Sequence, residues 1–319
     1  ADITNVARYN AVNKVVVKIN NELSETNIPC GKTKVLSNGK KMNSPYFDFF
    51  NYSGLQRPVK LVAYPKEYVF DLTVDHRING RDAEVSYSVI LHIENAHLWQ
   101  VRNAYLYTFT VRIKDEEEVL DEYSEEIGVR TVEVKGKDIL INGSPVYLKG
   151  FGKHEDSDIV GRGFHIGVMK RDFECMKWIG ANSFRTSHYP YSDEIYQMAD
   201  REGFLVIDEV PAVGLFESLM NFMEASTGKK TAFFAKDTIP ELLENHLRAV
   251  EEMITRDKNH ACVIAWSLLN EPETTDEAAV PYFEKVFARA HELDVQKRPR
   301  TFALIMNSLP DTCKCYHLA

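Results

Sequence analysis

The tripeptide Asn270-Glu271-Pro272 closes the mostly apolar run Val263-Ile264-Ala265-Trp266-Ser267-Leu268-Leu269. A carboxyl at the dry end of a buried strand loses solvation, its charged form is disfavoured and its pKa rises. Such a group holds a proton near neutral pH and delivers it to a leaving oxygen. Asn270 offers an amide donor to a hydroxyl of the same substrate. A helix-capping Asn beside a solvated Glu, with Pro as punctuation, is the plainer reading of the tripeptide alone. Trp266 and Leu268 tip the balance toward chemistry, because they place burial immediately upstream.

Three further clusters have the same character. In Phe184-Arg185-Thr186-Ser187-His188-Tyr189-Pro190, Arg185 can hold a carboxylate ionised and His188 can meet a hydroxyl. An internal ion pair and a hydrogen-bonded histidine are the plainer reading of that cluster. Gly152-Lys153-His154-Glu155-Asp156 concentrates polarity after an apolar stretch. Tyr46-Phe47-Asp48-Phe49-Phe50-Asn51-Tyr52 sets one acid, Asp48, among aromatic faces of the kind that stack on sugar rings. A strand-edge aromatic core is the competing explanation there.

Two kinds of scaffold must position these groups. Up to about residue 140 the pattern alternates and is β-branched. Strands are expected at 14–19, 59–62, 68–74, 84–90 and 105–111, giving sandwich material. Beyond it, strands alternate with helices. Expected strands are Val146–Phe151, Ala181–Tyr189, Phe204–Asp208, Val263–Leu269 and Phe302–Met306. Helices fall at 168–179, from Ser192 to Gly203, from Pro240 on with Leu243, Leu247, Val250 and Ile254 on one stripe, and at 276–294. Five βα steps imply a parallel sheet, and no glycine-rich phosphate loop follows any of them. The polar clusters all fall just past strand ends, the rim where barrel enzymes carry their chemistry. A complete barrel has eight strands, so five do not close one.

Composition narrows the function classes. The net charge of −9, without a basic cluster, argues against nucleic acid. No apolar run approaches the roughly 20 residues of a membrane span, so no membrane partner is expected. Cys30, Cys175, Cys262, Cys313 and Cys315 form an odd, scattered set without zinc spacing. They are expected to be reduced thiols. With no leader at Ala1-Asp2-Ile3, a cytoplasmic location is expected.

Taken together, Asn20-Asn21-Glu22-Leu23, Tyr46 to Gly54, Gly150 to Asp156, Arg185 to Pro190, Ile207-Asp208-Glu209 and Trp266 to Pro272 resemble glycoside hydrolase family 2, in particular its β-glucuronide-cleaving branch. The resemblance spans nearly the whole chain. It implies the C-terminal part of a jelly-roll sugar-binding-like domain over 1–65, an immunoglobulin-like sandwich over 66–134, shorter than the family's between Ile90 and Leu91, and the N-terminal part of a TIM (β/α)8 barrel over 135–319. By that resemblance Glu271 is the acid/base and Asn270 the partner of the sugar 2-hydroxyl. Asp48 and His154 line the sugar site, Arg185 serves the nucleophile and His188 binds substrate. The nucleophilic Glu and the Asn-x-Lys pair that grips the glucuronate carboxylate are implied beyond residue 319. Residues 214–236 take the place of a loop over the entrance. The implied reaction is exo-hydrolysis of β-D-glucuronides by double displacement with retention, without metal or organic cofactor, in a homo-oligomer. Residues 1–319 alone are expected to be inactive. Another family 2 glycosidase, such as a β-galactosidase, or a non-catalytic carbohydrate-binding fragment are the alternatives.

Among the rim residues, Lys153 and Arg185 are the cations the sequence offers, and Lys153 is expected to face away from the sugar carboxylate. Glu155 and Glu209 are the acids that would have to be reconsidered if the chain were active alone.

Overall fold

A computed structural model describes residues 1–79, 82–87, 89–229 and 231–308. The Cys313–Cys315 pair lies outside them, and Cys30, Cys175 and Cys262 are free thiols.

The first part of the chain forms small antiparallel sheets. β1 (Gly31–Val35) and β2 (Lys41–Pro45) make a hairpin. β3 (Asp75–Asn79), β4 (Asp82–Tyr87) and β5 (Val89–Ile93) form a meander. β6 (Tyr107–Asp115) pairs with β7 (Glu118–Ile127). Ile93, Tyr107, Phe109, Val111 and Ile127 close these last two sheets over a small core with Leu72, Val74 and Val129. This is the sandwich the alternation predicts.

Three expected strands do not form. Residues 14–19, 59–62 and 68–74 join no ladder. A β-branched segment becomes a strand only where a neighbour accepts its backbone hydrogen bonds. Val15 and Val16 are instead 70% and 77% exposed. In 68–74, side chains take over the neighbour's role: Val69 N–H donates to Asp121 Oδ2 and Val74 N–H to Asn259 Oδ1.

β8 (Val132–Lys135), β9 (Asp138–Ile141) and β10 (Ser144–Val146) form a separate three-stranded sheet. The expected strand Val146–Phe151 is therefore two strands. Val146 pairs antiparallel with Ile139, and the chain enters the barrel sheet only at β11 (Gly150–Lys153).

β11 is followed in order by β12 (Ser183–Thr186), β13 (Leu205–Glu209), β14 (Val263–Asn270) and β15 (Arg300–Ala303), all parallel. All eight residues of β14 are buried, as a strand covered on both faces requires. A Cβ at position 150 would collide with the Ser183 carbonyl oxygen, so β11 and β12 can approach this closely only with glycine there.

Helices α1 (Ile166–Trp178), α2 (Asp193–Glu202), α3 (Leu219–Ser226), α4 (Ile239–Asp257) and α5 (Val280–Leu293) connect the strands. His165 Nδ1 caps α1 by accepting Val168 N–H at 3.2 Å, and Gly203, at φ +69°, ends α2. The buried stripe of α4 is centred on Leu242, His246, Val250 and Ile254, with Leu243 and Leu247 at its edge. Hydrophobic periodicity does not count His246, whose buried imidazole donates from Nε2 to Leu268 O and accepts from Tyr282 Oη. Burial pushes that imidazole down to about 4, so it stays neutral.

Candidate active site

The C-terminal ends of β11 to β14 bring the expected residues to one rim. Asn270 ends β14, and the next residue, Glu271, adopts φ +47°. A left-handed conformation at a residue with a side chain costs on the order of 1 kcal/mol and must be held by its surroundings. Here Asn270 N–H donates to Ala212 O at 3.0 Å and Glu271 N–H to Ala303 O at 2.9 Å. The turn is pinned on both sides, and it swings Glu271 off the strand.

That geometry corrects one expectation. Glu271 is exposed, not desolvated. Burial is interrupted at this one residue, where the left-handed turn directs the side chain outward, and resumes at Pro272.

Behind Glu271 lies a saturated ion-pair network. Glu209, at the end of β13, is fully buried. Its Oε2 accepts from Arg185 Nη1 at 2.7 Å and from Ser267 Oγ at 2.6 Å, while Oε1 stands 2.7 Å from His188 Nδ1. The carboxylate assigns the proton of His188 to Nδ1 and leaves Nε2 free. Arg185 Nη1 also donates to Asn270 Oδ1 at 3.2 Å. In this chain the carboxylate that Arg185 serves is thus Glu209. Glu155 is likewise engaged, in an ion pair with Arg57 and by Ser192 N–H at 3.0 Å.

The third group comes from the other end of the chain. Phe49 reaches over the rim, with its ring centroid 5.8 Å from His154, 6.0 Å from His188 and 5.3 Å from Tyr189. His154 Nδ1 is 3.1 Å from Tyr189 Oη. Burial pushes the His154 imidazole down, and His188 adds to this; Asp156 and Asp48 pull the other way. Asp48 itself is exposed and unburdened by packing. The loop that sequence alone marks as an acid among aromatics is docked beside His154.

Lys153 turns from the mouth toward α1. It lies 3.5 Å from Asp172 and 5.2 Å from the Tyr191 ring centroid, and burial pushes its ammonium down. Sequence reasoning missed a third cation, Arg162, whose guanidinium stacks 3.5 Å from the centroid of Tyr189 and 5.2 Å from that of Phe49. The signal available was Gly161-Arg162-Gly163, an arginine between two glycines in the loop that follows His154.

A second polar cluster lies elsewhere, between α2 and the start of β14. Asp200, His260 and Cys262 bring potential ligand atoms within 4.8 Å of one another, a juxtaposition that their spacing in sequence does not announce. Asp200 Oδ2 is 2.5 Å from His260 Nδ1, and Oδ1 accepts Cys262 N–H at 2.7 Å. These groups satisfy one another as an ion pair, and an imidazole that Asp200 holds protonated beside a thiol that burial pushes up is a poor start for a metal centre.

Comparison with known proteins agrees with this architecture. Residues 47–130 match glycosyl hydrolases family 2, and residues 132–311 match the TIM barrel domain of the same family. The chain belongs to glycoside hydrolase family 2. Among its relatives, a β-glucuronidase of Paenibacillus borealis is 39% identical over 98% of this chain and 57% of its own length. One of Streptococcus agalactiae is 39% identical over 93% of this chain and 55% of its own. The crystal structure of Ruminococcus gnavus β-glucuronidase with uronic isofagomine superposes with a TM-score of 0.95 at 55% identity, covering 100% of this chain and 58% of that one. This family 2 chain thus spans little more than half the length of the relatives it matches. Among its described residues no helix is long and apolar enough to cross a membrane.

Proposed function

We propose that this chain carries the acid/base half of a retaining exo-glycosidase that hydrolyses β-D-glucuronides. The observation that carries the proposal is the Asn270–Glu271 turn. One residue is locked by Arg185 with its amide oxygen inward, and the next is thrown out over the rim as a carboxyl. With Oδ1 occupied, the Asn270 amide has Nδ2 to offer a sugar hydroxyl. In the first step Glu271 gives its proton to the departing oxygen as a carboxylate attacks the anomeric carbon. In the second it takes a proton from the water that releases the sugar. Carboxyl pairs of this kind stand about 5–5.5 Å apart. Glu209 and Glu155 are engaged with other partners, and the family resemblance implies a nucleophile beyond residue 319. Family membership and relatives named β-glucuronidase support the choice of a glucuronide.

The test is hydrolysis by an enzyme of family length carrying this chain, followed by proton NMR. Release of the β-anomer first, with an aryl β-glucuronide preferred over the matching β-galactoside, is expected. The α-anomer first, or preference for the galactoside, would reject the mechanism or the substrate respectively.

A further inference from the structure

The segment that leaves β13 and returns to α4 grips the Glu271 turn with both its limbs. The outbound limb lies along the turn through its backbone, as Asn270 N–H donates to Ala212 O and Glu273 N–H to Leu215 O, each at 3.0 Å. This limb is also wedged against the aromatic loop. Gly214, at φ +77°, passes so near Tyr46 that a Cβ there would stand 2.8 Å from the tyrosine Cβ. The returning limb depends on side chains of the turn. Phe233 N–H donates to Glu273 Oε1 at 2.7 Å, Thr275 Oγ1 donates to Lys229 O at 3.1 Å, and the Thr231 and Thr275 hydroxyls stand 3.4 Å apart. Between the limbs, α3 exposes Leu219, Met220 and Met223.

Among the described residues, Glu273 supplies the carboxylate of that stitching, and it is 1% exposed. An acid buried so completely, with Oε2 making no hydrogen bond among the described residues, is an expensive way to fill space. Burial pushes its carboxyl up, against the pull of the Thr231 hydroxyl and the Phe233 amide. Its position explains its retention here. It lies two residues after Glu271, whose left-handed backbone must be held from outside.

We propose that Glu273 is a positioning residue: by binding the returning limb, it locks the entrance segment onto the turn and so fixes where the Glu271 carboxyl stands. The inference rests on the acid/base reading of Glu271.

The experiment compares Glu273→Ala and Glu273→Gln in an enzyme of family length carrying this chain, on alkyl and nitrophenyl β-glucuronides. Misplacing a catalytic group by about 1 Å costs on the order of 100-fold. Glu273→Ala is therefore expected to lower kcat on the alkyl substrate about 10- to 100-fold more than on the nitrophenyl one, whose leaving oxygen needs little protonation. Hydrogen exchange of residues 231–235 should quicken at the same time. Glu273→Gln keeps an acceptor for Phe233 N–H and should restore both readouts. If Glu273→Ala does not fold, Thr275→Val, which removes the bond to Lys229 O, carries the same comparison. Equal losses on the two substrates, or unchanged exchange, would overturn the proposal. A wild-type enzyme inactive on every glucuronide would instead reject the acid/base reading, a separable failure because the exchange measurement needs no activity.

Discussion

Arg185 donates to Asn270 Oδ1 at 3.2 Å through the same nitrogen that holds Glu209 at 2.7 Å. One guanidinium thus neutralises a fully buried carboxylate and orients the amide that precedes Glu271. The arrangement separates two roles that the sequence leaves entangled. Arg185 is both the ion-pair residue of the plainer reading and a determinant of how the site is presented.

Replacing Arg185 by Met would leave Glu209 buried with Ser267 and His188 as its side-chain partners among the described residues. Removing one partner of a buried pair costs about 3–5 kcal/mol, and Arg185 is itself partly exposed, so the lower end is expected. Urea denaturation should show that loss, and adding Glu209→Gln should recover a good part of the stability without restoring turnover. Full recovery of turnover in the double variant would mean that the bond to Asn270 does nothing for the site.

On the proposed function, Glu271→Gln removes the proton donor while preserving shape and the exposed setting. Hydrolysis of glycosides with poor leaving groups should fall about 100-fold or more, with a far smaller loss on activated aryl glycosides. Because Glu271 is exposed in this chain, its melting temperature should barely change. Steady-state kinetics across a leaving-group series checks the first point and calorimetry the second. Uniform loss across the series would return Glu271 to a structural role.

These positions show where sequence was readable and where it was not. The parallel order of β11 to β15 followed from the alternation of apolar runs and amphipathic helices, because each apolar run had a covering helix beside it in sequence. The outer strands at 14–19 and 59–62 were misread for the opposite reason: alternation reports a face suited to burial, and not whether a partner strand exists. His246 was invisible because periodicity counts hydrophobicity, while its burial rests on hydrogen bonds to Leu268 and Tyr282. The polarity of the rim was legible in Arg185, His188 and Asn270. Its wiring was not, since the 2.7 Å contacts to Glu209 join residues from three different strands and loops. The exposure of Glu271 turns on a single positive φ, which no residue type at that position announces.

Asp48 gives a sharper contrast between function and stability. It is exposed, comes from the segment before the sandwich and acts on His154 by charge. Asp48→Ala should leave the melting temperature within about 1 °C, since exposed substitutions usually cost no more than about 0.5 kcal/mol. Turnover of a β-glucuronide by the full-length enzyme should drop strongly. A large thermal shift with intact turnover would place Asp48 among the structural residues and leave the aromatic loop as packing alone.

The last prediction concerns pH and the seam between α2 and β14. Burial alone would push the His260 imidazolium down. The Asp200 carboxylate at 2.5 Å, with Asp257 and Glu125 behind it, outweighs that and holds His260 up at about 9. The neighbourhood is broader than one pair: Asn259, next in sequence, binds Glu125 Oε2 and Leu72 O, and Lys258 binds Asp71, so this corner ties the barrel to the sandwich. A group whose folded pKa lies above its unfolded value binds more protons when folded, so its contribution is complete below the unfolded pKa. For His260 that contribution is full below pH 6.5 and declines as pH rises through about 9. His260→Gln should therefore lower stability at pH 6 by about 3 kcal/mol, the low end for breaking a buried pair, because Cys262 N–H still serves Asp200. The gap between variant and wild type should narrow steadily toward pH 9.5, as read from urea midpoints of the 319-residue chain. A gap of constant size across that range would mean that His260 contributes packing and hydrogen bonding without its charge.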